Sequence, residues 1–532
     1  MNNFSNWVEA RFSTADDDLV NYGTVAAIGV AAIAGLLSSG CGPCEINPKR
    51  GQCSRVTDYA STGTSGSETT TLGSTDTSSS SNQDTTSGPE VTEDEVCSGD
   101  RWTVDDTYRA ISLHLGTIDF EDQPFTRYIE LSAQYNQGSC DDELAALRDA
   151  LVKGLHHLTR EPTPITVSPV DERGVVLSFD IRDVGFDAAV GDGEVVTDRW
   201  DALAAANHQS LVYAGGLADS VRSRAATDFP VQSLSSFLRE ATRGAQYRAL
   251  LDIPETLDAL LLEYGCLTLT DASLADLVDA EVIRACTNHS GVARAPRCVQ
   301  RNPPQNTGPA CWISYETVGA DQDGNPFLDP IGFNFLGGEG IIALPNGFNA
   351  YFIFNAAGAL VDEAPVSLVA NYDNPDNPVV VNGISCIGCH DRGYISVTDE
   401  LRDHFSQPGA PLGGLNLNAL KDLFVENAEL SAFVAQDRER FESAASALGV
   451  STSDEPVTRV VFDYEDEVTP SRAAAELGLS EAEFSVLLPV FSSKQLSTNF
   501  PLERDQFNVD FLGYACESQR ALENIPAGCE GA

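Results

Sequence analysis

The segment from Asn382 to Gly393 combines three reactive residues at a spacing that suits one particular chemistry. Its sequence, NGISCIGCHDRG, separates Cys386 from Cys389 by two residues and follows them at once with His390. Two thiols at this spacing can add across the two vinyl groups of a haem, and the adjacent imidazole can bind the iron. The motif therefore predicts one covalent c-type haem attached through Cys386 and Cys389 and ligated by His390.

Three other interpretations of the motif stay open at this point. A Cys-x-x-Cys pair can form a local disulfide, and a redox pair of the thioredoxin type is expected between a strand and a long helix. A zinc site would need further ligands, of which His404 is the nearest. Chance is a poor explanation of the motif, because 13 Cys and 7 His in 532 residues give roughly 0.004 such motifs by chance.

The second axial ligand of such a haem is a separate question. Methionine is excluded, because the one Met of the sequence is Met1, ahead of a predicted export segment. We therefore expect a second histidine or an open position, with His404 as the nearest candidate metal ligand. The sequence SVTDELRDHF predicts a helix that begins with a capping box at Ser396 and carries Val397, Leu401 and His404 on one face. Weaker candidates are His114, His208, His289 and the pair His156 and His157, which we place at the polar edge of a helix.

The composition limits the partners of the chain. Lys and Arg number 32 against 79 Asp and Glu, which gives a formal net charge of −47. A field of this sign repels phosphate backbones and anionic membrane surfaces, so we expect no nucleic-acid partner. It favours instead a basic partner protein, here a redox partner.

The N-terminal region predicts export. Thr24 to Leu37 is a run of small apolar residues, too short to span a membrane but typical of a signal-peptide core. It leads through small residues to Cys41, as in a bacterial lipoprotein signal, so we assign residues 1–41 as a signal and lipobox-like segment with Cys41 lipidated. Gly42 then favours an outer-membrane lipoprotein that faces the periplasm or the surface and contacts the membrane through its lipid anchor only. A plain cleaved signal peptide or a weak membrane anchor stays open.

The rest of the chain divides by composition. Ser61 to Gly88 has 18 Ser or Thr in 28 residues, which predicts a flexible linker over residues 42–96 with a reach on the order of 40 Å. Helical periodicity dominates residues 97–301, exemplified by Asp141 to Leu158, with a strand over Arg173 to Phe186. Residues 302–410 form a β-rich region with the haem motif, and residues 411–532 a helical C-terminal region. The predicted fold class is α+β, predominantly helical, with a small antiparallel β region before the motif.

The cysteine count is consistent with export. If Cys41 carries lipid and Cys386 and Cys389 carry haem, ten cysteines remain, and the total also stays even if the motif cysteines bond to each other. Proximity predicts five disulfides. They are Cys44–Cys53, Cys97–Cys140, Cys266–Cys286, Cys298–Cys311 and Cys516–Cys529.

Four stretches resemble a family of large exported bacterial proteins, uncharacterised in function, that carry a single c-type haem motif. They are FTRYIELSAQYNQG, LSFDIRDVGF, GGEGIIALPNGFNAYFIFNAAGALVDEAP and VVVNGISCIGCH. The likeness spans about Asp100 to Phe484, and it implies a haem on Cys386, Cys389 and His390. The resemblance implies no substrate. The chain departs from the family at one place, where members tend toward an Arg-His pair and this chain has Arg301-Asn302.

These observations predict a c-type cytochrome-like lipoprotein that transfers single electrons in the cell envelope. A thioether-bound haem stays attached across redox cycles, so the protein needs only to tune it and present it to a partner. Haem-dependent catalysis on peroxide or a small ligand is the enzymatic alternative. An envelope binding protein with a structural or sensory haem is the other.

Overall fold

A computed structural model describes residues 44–46, 53–55 and 100–529 of the chain. Within the last range it omits residues 191–196, 268–271, 289–291, 294, 305–308, 320–321, 368, 371–377, 411–412 and 454. The predicted signal segment, Cys41 and nearly all of the linker lie outside the described residues.

Strands and helices alternate along the chain in a mixed order. The strands are β1 (Cys44–Ile46), β2 (Cys53–Arg55), β3 (Thr126–Glu130), β4 (Ser168–Pro169), β5 (Val176–Asp180), β6 (Ala189–Val190), β7 (Thr197–Asp198), β8 (Tyr213–Ala214), β9 (Val231–Ser233), β10 (Ile283–Thr287), β11 (Arg297–Asn302), β12 (Cys311–Thr317), β13 (Phe335–Ala343), β14 (Asn349–Asn355), β15 (Leu360–Val361) and β16 (Ile525–Pro526). The helices are α1 (Val104–Leu115), α2 (Ser132–Asn136), α3 (Asp141–His157), α4 (Arg199–Ala206), α5 (Gly216–Ala225), α6 (Leu234–Ala241), α7 (Gly244–Leu250), α8 (Leu257–Glu263), α9 (Leu274–Asp279), α10 (Ile384–Cys389), α11 (Leu401–Ser406), α12 (Leu417–Leu423), α13 (Asn427–Leu448), α14 (Pro456–Glu465), α15 (Pro470–Glu476), α16 (Glu481–Ser493), α17 (Arg504–Val509) and α18 (Phe511–Ser518).

A six-stranded antiparallel sheet precedes the Cys-x-x-Cys-His motif. Its strands follow chain order from β10 to β15, so each strand pairs with the next one in sequence. The turn between β13 and β14 contains Asn346 and Gly347, whose φ of 93° suits glycine in a hairpin turn. The described residues combine many helices with several small sheets, which confirms the predicted α+β class. The sheet begins at Ile283, ahead of residue 302, where the sequence predicts the β-rich region to start.

A second sheet lies in the part of the chain that the sequence predicts to be mainly helical. Its strand order is β4-β5-β3-β9, with β3 antiparallel to β5 and parallel to β9. The strand predicted from Arg173 to Phe186 is present as β5, but Ser178 is buried as well as Leu177 and Phe179. Packing on both faces therefore replaces the half-buried strand that the alternating pattern predicts.

One large hydrophobic cluster joins the two sheets to the motif helix. It contains residues from α3, β14, α10 and α14, including Leu155, Tyr351, Ile384, Cys386 and Val461. Helix α14 packs against both α3 and α10, and so connects these helices across the core. The motif is therefore part of the main core and not an appendage of it.

The segment from Ser273 to Cys286 lies in the region predicted to be mainly helical, yet it is helical only in its first half. Helix α9 ends at Asp279, and Ile283 already belongs to β10, where all five residues are buried. The apolar residues Val282 and Ile283 fit a 3.6-residue period, yet they also fit a buried strand. Pairing with β11 decides between the two, which is information from elsewhere in the chain.

The sheet register overturns two of the predicted disulfides. Cys286 is bonded to Cys298, because these residues lie directly opposite each other in β10 and β11. Cys266 is bonded to Cys311, at the start of β12. The predicted pairs Cys266–Cys286 and Cys298–Cys311 are wrong, because they rest on proximity along the chain, which carries no information on how the strands pair.

The other predicted pairs differ in what can be said of them. The bond between Cys516 and Cys529 is confirmed, and it ties α18 to the C-terminal segment. The pairing of Cys97 with Cys140 involves a residue outside the described part, and nothing is described for the side chains of Cys44 and Cys53. Those two pairs stay predictions.

Replacing Cys266 and Cys311 by serine is expected to lower the free energy of unfolding by about 4 kcal/mol, since the bond closes 45 residues. The bond between Cys516 and Cys529 closes only 13 residues, so the Cys516→Ser/Cys529→Ser variant should lose about 3 kcal/mol of unfolding free energy. Urea denaturation measures both values, and peptide mapping without reduction checks the pairing. Peptides that join Cys266 to Cys286 would contradict the sheet register.

Candidate functional site

The three residues of the motif lie on one short helix. Cys386 and Cys389 occupy α10 three positions apart, and His390 ends the helix with its N–H donated to the Cys386 carbonyl at 2.8 Å. Residues three and four apart lie on the same helix face, so the two sulphurs and the imidazole are presented together. Cys386 is buried, whereas Cys389 and His390 are half-buried, and both cysteines are thiols.

Glycine at position 383 anchors the start of this helix. Gly383 has a φ of 87°, and a Cβ built there would lie 2.2 Å from the Thr242 carbonyl oxygen. That same oxygen accepts the Ile384 N–H at 2.9 Å. The far end is close to α14, because a Cβ on Gly388 would meet Thr458 Cγ2 at 3.0 Å. Both contacts hold the motif in place without a large side chain.

The imidazole of His390 has a defined tautomer. Its Nδ1 lies 3.0 Å from the Gly393 carbonyl oxygen, which can only accept, so Nδ1 carries the proton and Nε2 the lone pair. The ring stacks on Tyr351 with centroids 5.6 Å apart and planes at 25°. Burial lowers the pKa of His390, and the negative charge of Glu339 opposes this shift without cancelling it. The ring is thus neutral at neutral pH, with the lone pair on Nε2.

A buried charged cluster lies beside the motif on three adjacent strands of the six-stranded sheet. Arg297 of β11 forms ion pairs with Glu316 of β12 at 2.8 Å and with Glu339 of β13. Burial raises the pKa of Glu316 to about 7, although Arg297 counteracts it. Burial also acts to raise the pKa of Glu339, but Arg297 opposes it through its charge and its hydrogen bond, and that pKa is lowered. Cys389 also interacts electrostatically with Arg297.

Two tyrosines form an aromatic wall at Cys386. Tyr247 and Tyr351 are fully buried, and each interacts electrostatically with Cys386. The Tyr351 N–H donates to the Tyr247 hydroxyl at 3.0 Å, which links α7 to β14. An apolar planar group attached at Cys386 would therefore meet aromatic surface.

His404 lies on a different part of the surface. It is exposed on α11, and its ring meets Phe327 edge-on with centroids 5.4 Å apart. The contacts of the His390 ring are instead with Tyr351 and the Gly393 carbonyl. The expected pairing of His404 with the motif stays a prediction that these contacts do not support.

The capping box predicted at Ser396 is wrong. Helix α11 begins at Leu401, and the buried carboxylate of Asp399 accepts the N–H groups of Arg402 at 2.8 Å and Cys286 at 2.7 Å. The acidic residue thus caps a shorter helix and also joins it to β10, a long-range contact that no local pattern contains.

His157 contradicts its predicted place at the polar edge of a helix. It is the last residue of α3 and is 1% exposed, not at a polar edge. Its Nδ1 donates to the Asn349 carbonyl at 3.1 Å, and its ring contacts Tyr351 at 6.0 Å between centroids. Burial lowers its pKa to about 3. The available signal was KGLHHL, where apolar residues surround both histidines at the end of the helix.

The donor set of the motif fits a covalently attached haem. Two thiols on one helical turn can form the thioether links, and a neutral imidazole with its Nδ1 bound to a backbone carbonyl is the usual form of a metal-ligating histidine. The zinc interpretation gains no second set of ligands, because the described residues contain no group of three or more His, Cys, Asp or Glu suited to a metal. The pair also sits on a six-residue helix, not on the long helix of a thioredoxin-type site.

Comparisons with known proteins add no relative. No protein-family model matches the chain, and neither the curated proteins nor the solved structures yield a match. The family resemblance drawn from the sequence therefore stays a prediction. Within the described residues, no helix combines the length and apolar character needed to cross a membrane.

Replacing Glu316 by Gln should change how stability depends on pH. The folded-state pKa of about 7 exceeds the ordinary value of 4.5, so protonated Glu316 favours the folded state below pH 4.5, and this contribution is lost as pH rises through 7. Gln cannot ionise, so the variant should gain up to about 3 kcal/mol of unfolding free energy relative to wild type between pH 5 and pH 8. Urea denaturation at both pH values measures this gain. Exposed Glu429→Gln is the control, and an equal difference at both pH values would refute the assignment.

Replacing Gly383 by Ala should destabilise the protein more than its φ alone explains. Gly409 has the same φ of 87° but nothing within 4 Å of its Cβ position, so Gly409→Ala measures the conformational cost, about 1 kcal/mol. Gly383→Ala adds the clash with Thr242 and should lose about 3 kcal/mol or more. Thermal or urea unfolding gives both numbers. Equal losses would show that the close approach at Gly383 is unimportant.

Proposed function

We propose that this protein carries one covalent c-type haem on Cys386, Cys389 and His390 and transfers single electrons in the cell envelope. The observation that carries the proposal is the presentation of two thiols on one turn of α10, followed by an imidazole whose Nδ1 is bound to Gly393. That hydrogen bond leaves Nε2 as the nitrogen that would bind iron.

Attachment at the two thiols is chemically balanced. Each S–H adds across a vinyl C=C bond: sulphur forms a C–S bond with one carbon, and the hydrogen passes to the other. The step consumes no external oxidant or reductant. A haem held in this way supplies reversible one-electron chemistry at its iron.

The residues around the motif would hold the haem and set its electrostatic environment. His390 is kept neutral by burial and oriented by Gly393, while Tyr247 and Tyr351 exclude water beside Cys386. The cluster of Arg297, Glu316 and Glu339 holds two carboxylates against one guanidinium. When both carboxylates are ionised, their net negative charge favours the oxidised, more positive state and so lowers the reduction potential.

The sequence outside the described residues supplies the cellular context of the proposal. Cys41 would carry a lipid anchor, and the Ser/Thr-rich linker would hold the folded part clear of an outer membrane. The net charge of −47 would orient a basic redox partner. The large folded part then serves to tune and present the haem.

We expect the full chain, made in a host that attaches c-type haem, to give a positive pyridine haemochrome test and a reversible change of its absorption spectrum on reduction. The Cys386→Ser/Cys389→Ser variant should lose the covalent haem. The Cys516→Ser/Cys529→Ser variant removes a cysteine pair elsewhere and should keep it. Haem that can be extracted from the wild-type protein, or no haem at all, would refute the proposal.

A further inference from the structure

Buried His157 shares the hydrogen-bonding pattern of His390. In both residues Nδ1 donates to a backbone carbonyl, of Asn349 and Gly393 respectively. In His157 the Nε2 atom is buried and has no hydrogen-bond partner. A buried polar nitrogen without a partner costs free energy, so its persistence needs an explanation.

The neighbouring histidine lacks this feature. His156 is equally buried, but its Nδ1 donates to the Val152 carbonyl at 2.7 Å, and its Nε2 accepts the Ile165 N–H at 3.3 Å. Both of its nitrogens are thus used within the fold. Burial at the end of α3 does not by itself leave a histidine nitrogen without a partner.

Strand β14 brings His157 and His390 to the same place. Its residue Asn349 holds His157 through the backbone carbonyl, and Tyr351 contacts the rings of both histidines. The ring centroid of Tyr351 lies 6.0 Å from that of His157 and 5.6 Å from that of His390. The sum of these two distances is therefore the upper limit for the separation of the two imidazole centroids. Phe348 and Phe441 complete an aromatic lining around His157.

We propose that Nε2 of His157 is the second axial ligand of the haem held by His390. The proposal rests on the proposed function, and it assigns to His157 the role that sequence spacing suggested for His404. It explains the missing partner of Nε2 as a ligand nitrogen reserved for iron. Because Tyr351 lies against both rings, its side chain must turn aside for them to share one metal. Its buried hydroxyl has no hydrogen bond within ordinary geometric limits and only a weaker interaction with the Asn349 side chain, so that movement gives up this one interaction.

The test is the spin state of the haem in the full-length holoprotein, measured by absorption and electron paramagnetic resonance. The wild type should be six-coordinate and low-spin. His157→Ala should become five-coordinate and high-spin, and added imidazole should restore the low-spin spectrum. His156→Ala is the matched control from the same buried helix end, and His404→Ala tests the rival ligand. Both should stay low-spin.

The outcomes separate this inference from the proposed function. A high-spin wild type, a low-spin His157→Ala variant without imidazole, or a high-spin His404→Ala variant would overturn the inference while leaving the haem in place. A wild type without covalent haem would overturn the proposed function itself. If His157→Ala fails to fold, His157→Met preserves bulk, and it should change the low-spin signature from histidine-histidine to histidine-methionine ligation. An unchanged signature in that variant would overturn the inference.

Discussion

The close approach of Gly383 to the Thr242 carbonyl is the constraint on which the geometry of the motif depends. A side chain at that position would collide with the oxygen that also accepts the first hydrogen bond of α10. The helix is therefore held at its start by backbone atoms, and at its end by contact with α14. Everything that the motif can do follows from this fixed helix, because it places two sulphurs and one imidazole on a single face of the core.

The second level of organisation comes from the antiparallel sheet. Strands β11, β12 and β13 bring Arg297, Glu316 and Glu339 together, and β14 supplies the carbonyl and the ring that contact the two histidines. Burying a cluster with more carboxylates than cations costs folding free energy, so stability alone does not explain it. In the proposed function, the cluster would lower the local reduction potential. The sheet is thus both scaffold and electrostatic environment.

Local patterns predicted part of this arrangement well. The periodicity of Asp141 to Leu158 predicts the helix found as α3, and the Asn346-Gly347 sequence is typical of the hairpin turn found there, because both depend on neighbours in sequence. Other features failed for the opposite reason. The pairing of Cys286 with Cys298 depends on strand register, and the burial of His157 depends on β14, nearly two hundred residues away in sequence. Asp399 shows the same limit, since its cap reaches to Cys286 in another element.

The central claim is a covalent haem on one helical turn, and mass spectrometry of the peptide that contains Cys386, Cys389 and His390 tests it most directly. The protein should be purified from a host that attaches c-type haem and digested without reduction. The account predicts a peptide heavier by one haem, with both sulphurs in thioether links. A peptide of unmodified mass, or one lighter by two hydrogens because Cys386 and Cys389 form a disulfide, would contradict it.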